Sequence, residues 1–153
     1  MNLSTFNKLG LGVIVLCWGF IIHDKVNFRQ KVDKQFKPFV AAYYEFLKEV
    51  CPFKYKNQTS NYTIKFDHGD DQWIGLCEPS WNGYVIHIDK DFWNNSSESA
   101  HTQLIFHEMS HCVAFREHVK DESHYMNPIF YVLPYKQMLP QLKTDLRNYC
   151  NDR

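Results

Sequence analysis

The run His107-Glu108-Met109-Ser110-His111, set inside the apolar stretch Gln103 to Phe115, constrains this chain more than any other feature. Apolar residues recur here at helical spacing, and on a helix residues four apart stand one turn above each other. His107 and His111 then offer two neutral imidazole nitrogens to one point, the spacing that lets one helix face hold a single Zn²⁺. Glu108 projects beside them, where its carboxylate can take a proton from a water acidified by the metal and pass it to a leaving amine. Asn95, Ser96 and Ser97 supply N-caps, and Asn95 with Glu98 approximates a capping box. Ile105, Phe106, Met109, Cys112 and Val113 fall opposite the histidine pair, so one face is expected to pack and the other to bind.

A metal held by two histidines needs a third ligand, and the place to look is downstream. His118 lies seven residues beyond His111, with Glu117 as the competing candidate. Imidazole suits zinc, and the helix has to break within Arg116 to Lys120 to bring His118 round. Beyond it, Ser123-His124-Tyr125-Met126-Asn127-Pro128 reads as a turn. Its His124 is expected to be solvated, and Tyr125 is an oxyanion donor or a packed aromatic.

These residues resemble the zincin metallopeptidases, and within them the metzincins, in which a methionine-containing turn follows the third ligand. The metzincin pattern has glycine three residues after the second histidine and the third ligand six after it. Here those positions are Ala114 and Glu117, with His118 one residue later. The stretch Ile74 to Pro128 is similar to small bacterial and phage zincins, whose pattern runs approximately FHExxHCxxxRxH and then SxMNP. The first part matches throughout, and the second matches at Met126-Asn127-Pro128. The resemblance implies a zinc-dependent metallopeptidase acting on a peptide or protein. Its metal ligands would be His107, His111 and His118, its general base Glu108, and its turn methionine Met126.

The remainder reads as scaffold. Tyr84 to Asp89 alternates and is rich in β-branched residues, marking a strand just before the active helix. In zincins such a strand borders the cleft, which implies an extended substrate lying along it and adding main-chain hydrogen bonds. Asn61 to Phe66 and Trp73 to Cys77 read as further strands. Val32 to Val50 carries an amphipathic helix whose start or kink is set by Pro38, and Gln137 to Cys150 a closing helix disturbed by Pro140. The expected fold is α+β and zincin-like, a small mixed sheet covered by helices, in a domain spanning 24–153. The turn Asp67-His68-Gly69-Asp70-Asp71 lacks a full EF-hand pattern, so no calcium is assigned to it.

Residues 1–23 stand apart. Leu9 to Ile22 is uncharged and largely apolar, preceded by Lys8 and followed by His23-Asp24-Lys25, and it lacks a clean small-x-small cleavage site. It reads as a membrane anchor rather than a cleaved signal. Cys51, Cys77, Cys112 and Cys150 permit two disulfides, which fits an oxidising, extracytoplasmic location, whereas the cations Lys25, Arg29, Lys31 and Lys34 beyond the segment run against the usual orientation rule. With 17 basic against 17 acidic residues there is no electrostatic footprint for nucleic acid. The alternative to a peptidase is a zincin-shaped, membrane-tethered binding or structural protein. The intact Glu108 argues against it, because a structural zinc site closes with four protein ligands and needs no base beside it.

Overall fold

The computed structural model describes residues 31–56 and 61–151. Its elements run β1 (Lys31–Val32), α1 (Lys37–Val50), α2 (Pro52–Lys56), β2 (Tyr62–Asp67), β3 (Gly75–Ser80), β4 (Gly83–Asp89), α3 (Lys90–Asn95), α4 (Glu98–Ala114) and α5 (Tyr135–Asn151). The fold is α+β, with one mixed four-stranded sheet in the order β1-β2-β4-β3. β1, β2 and β4 are parallel, and β3 returns antiparallel to β4. The expected anchor at 1–23 lies outside the described residues, and among those described no helix is long and apolar enough to cross a membrane.

The strand next to the active helix in sequence is not the one at the sheet edge. β4 lies between β2 and β3, and Ile86 and Ile88 are wholly buried in the core. The edge beside β4 belongs to β3, which runs on past Cys77 to Ser80 and contains Pro79. Proline has no N–H to give a ladder, so a strand carrying it fits an edge and not the middle of a sheet. The expectation that the strand at Tyr84 to Asp89 supplies the sheet edge is therefore corrected: it is central, and β3 is the edge beside it.

The helices form where the sequence pattern puts them. Pro38 occupies the first turn of α1, where its missing N–H costs nothing, and Val40, Tyr43 and Leu47 turn inward below it. α5 continues through Pro140 and buries Met138, Leu142 and Leu146. Ser97, not Asn95, caps α4: its Oγ accepts from the Ala100 N–H at 3.3 Å, while the Asn95 amide donates to the Asp91 carbonyl. α4 packs against β3 and β4 on one side and α1 and α5 on the other. Its interior is consequently buried almost all round, Gln103, His107, Glu108 and Ser110 included. The expected division into one packing and one binding face is replaced by a central helix that reaches solvent in its first turn and beside the histidines.

Both pairs of cysteines are joined. Cys77–Cys112 ties edge strand β3 to α4, and Cys51–Cys150 ties the end of α1 to the end of α5 across 99 residues of chain. Closing so long a loop removes much conformational freedom from the unfolded chain. The Cys51→Ser, Cys150→Ser double variant should lose about 2–5 kcal/mol of stability in urea unfolding, on the scale typical for native disulfides of small domains. An unchanged midpoint would show that this bond contributes nothing.

Candidate metal centre

α4 ends at Phe115, which adopts a left-handed conformation with φ of 53°, one residue ahead of the expected break. The N–H groups of Phe115 and Arg116 both donate to the Ser110 carbonyl, closing the helix end. The chain then doubles back and brings His118 over the helix. The Nε2 atoms of His107, His111 and His118 stand 3.1, 3.2 and 3.2 Å apart, a nearly equilateral triangle. Glu117 is exposed and does not belong to this group.

The tautomers follow from the partners on the other side of each ring. His107 Nδ1 lies 2.8 Å from the Tyr125 carbonyl, and His111 Nδ1 lies 2.5 Å from the Arg116 carbonyl. A carbonyl only accepts, so both Nδ1 atoms carry the proton, and the two Nε2 atoms face each other with lone pairs. Burial, the largest cause, lowers the pKa of His107 to about 4 and also lowers that of His111, so neither ring is a cation at neutral pH. Lone pairs converging this closely repel one another unless a cation lies between them. A tetrahedral Zn²⁺ with bonds of about 2.0–2.1 Å separates its ligand nitrogens by about 3.3 Å, which these spacings approach. The donor set thus fits a metal ion, and three imidazoles suit a transition metal better than calcium or magnesium.

Glu108 sits between α4 and β3. Its carboxylate accepts from the Cys77 N–H, and burial pushes its pKa up to about 8 against that bond. A divalent cation beside it would favour the ionised form and draw the value down again. The approach is possible because residue 75 is glycine: a Cβ there would meet Glu108 Oε1 at 2.6 Å and Leu104 Cδ1 at 2.7 Å. The Cys77–Cys112 bond fixes the same contact one turn further along α4.

The three histidines and Glu108 open onto a cleft of about 530 Å³, bounded by Gly75, Leu76 and Cys77 of β3 on one side and Asn127, Pro128 and Phe130 on the other. A second hollow of about 680 Å³ shares Trp73, Ile74, Pro128 and Phe130 with it, so the groove continues past the start of β3. Met126 is fully buried, and its carbonyl accepts from the Val119 N–H, which pins the turn to the segment carrying His118. Tyr125 is packed: its hydroxyl bonds Ser110 Oγ at 3.1 Å inside the core, so it does not reach the cleft as an oxyanion donor. His124 Nδ1 accepts from the Met126 N–H and stiffens the turn.

Sequence reasoning missed Gly75 and the carbonyls of Arg116 and Tyr125. A lone glycine between Ile74 and Leu76 was a readable sign of close backbone approach, whereas a carbonyl has no signature in the sequence. Gly75→Ala should destabilise the chain by about 1–3 kcal/mol, the usual cost of overpacking, measured by urea unfolding. The cost should shrink in a Glu108→Ala background, which removes the carboxylate it strikes; equal costs in both backgrounds would show that Glu108 does not press on Gly75. Compared with protein-family models, with curated proteins and with solved structures, the chain matches none.

Proposed function

We propose that this chain is a zinc-dependent metallopeptidase of the zincin type. The observation that carries the reading is a buried carboxylate, Glu108, beside three convergent imidazole nitrogens at the floor of an open cleft. A structural zinc site would have a fourth protein ligand; here three histidines converge, and the remaining side faces the groove. Zn²⁺ held by His107, His111 and His118 would supply Lewis acidity, polarising a scissile carbonyl and lowering the pKa of water.

The protein's own groups do the rest. Glu108 takes the proton of the attacking water and delivers it to the leaving amine. Its bond from the Cys77 N–H holds the carboxylate in position, so no reorganisation is needed when the proton moves. β3 is an edge strand along the cleft, and an extended peptide can add to it as a further strand. The length of the continuous groove favours several residues of unfolded or loop peptide over a small molecule.

The apolar segment Leu9 to Ile22 would tether this activity to a membrane, and the two disulfides support an extracytoplasmic domain. Glu108→Gln should keep one zinc per chain while lowering cleavage of a mixed peptide library by about 10²–10⁴-fold, the usual weight of a general base. Cleavage at the parental rate by this variant would remove Glu108 from the mechanism. Chelation should abolish parental cleavage and added Zn²⁺ restore it; activity that survives chelation would rule out a metallopeptidase.

A further inference from the structure

We infer that Asp145 is a positioning residue for the metal centre, acting through Arg116, whose backbone carbonyl orients His111. The inference rests on reading the three histidines as a metal site. Among the described residues two carboxylates are buried, Glu108 at the cleft and Asp145 on α5. Asp145 lies beneath α4, away from the cleft lining, and its side chain is 6% exposed. A buried ion pair is a poor device for stability alone, because well-packed apolar residues of the same volume serve as well or better. The position of this pair suggests another use.

Asp145 Oδ1 accepts from Arg116 Nη2 at 3.0 Å. Arg116 follows the left-handed Phe115, and its N–H is already committed to the Ser110 carbonyl. With the side chain held by Asp145 and the N–H held by α4, Arg116 is anchored at two points, and its carbonyl meets His111 Nδ1. The same constraint aims the chain that carries His118 two residues later. One carboxylate on α5 is therefore linked, through Arg116, to the carbonyl that sets the His111 tautomer. Such outer partners raise ligand basicity and fix ring orientation, and their loss typically weakens metal binding by about 10–100-fold.

The test uses the full chain and three variants, Asp145→Asn, Arg116→Met and the double variant. Zinc affinity is measured by competition with a chromophoric chelator, and histidine ring N–H signals of the zinc-free chain by nitrogen-15 NMR. Asp145→Asn and Arg116→Met should each weaken zinc binding by about 10–100-fold, and the double variant no further, because both cut one tether. The zinc-free parent should show slowly exchanging Nδ1–H signals for His107 and His111, and the His111 signal should be lost in either variant. Glu49→Gln, which breaks the Lys143–Glu49 ion pair on the outer side of α5, should move neither readout.

A folded Asp145→Asn chain with parental zinc affinity and the His111 signal intact would overturn the assignment. If Asp145→Asn does not fold, Arg116→Met carries the same decision. A parent that binds no zinc would sink the metal reading instead, and the NMR comparison would still decide whether Asp145 orients His111.

Discussion

The closeness of α4 to β3 is the constraint on which the rest of the structure depends. Glycine at position 75 lets the strand backbone meet the Glu108 side chain, and the Cys77–Cys112 bond prevents the two elements from parting. That contact buries Glu108, supplies its N–H partner and leaves β3 as the free edge beside the histidines. Edge strand, buried carboxylate and histidine rings thus share one groove because a single helix is pressed against a single strand.

On its other side α4 is held by polar groups as much as by packing. Tyr43 of α1, Ser110 of α4 and Tyr125 of the turn form a buried hydrogen-bonded chain beneath the site, and Asp145 of α5 holds Arg116 just past the helix end. Buried polar groups cost stability unless they are satisfied, and in return they permit few alternative arrangements. The apolar residues around them, Leu47, Phe106, Met109 and Leu142 among them, supply the general driving force for collapse. The polar contacts orient the His107 and His111 rings.

Much of this was legible in the sequence, for reasons that differ by element. α1 was readable because its apolar residues recur at three and four, and β2 because its residues alternate. The helix of His107 and His111 follows from the pentad itself, and the structure draws His118 to them. The order of strands was not legible, because pairing is a long-range choice and the β-branched run of β4 suits a central strand as well as one bordering a cleft. Burial of α4 on both sides was hidden for a similar reason: Gln103 and Ser110 look like surface residues until their partners, the Tyr131 carbonyl, the Leu133 N–H and two tyrosine hydroxyls, are seen. Cysteine pairing has no local signal, and the αL conformation of Phe115 was unreadable because a bulky side chain at positive φ is rare.

The measurement that bears most directly on the whole reading is the zinc content of the purified full chain by elemental mass spectrometry, beside a His118→Ala variant. One zinc per chain, lost or held far more weakly by the variant, is the predicted result. A folded parent without zinc, or a variant that binds it as tightly as the parent, would contradict a centre built from His107, His111 and His118.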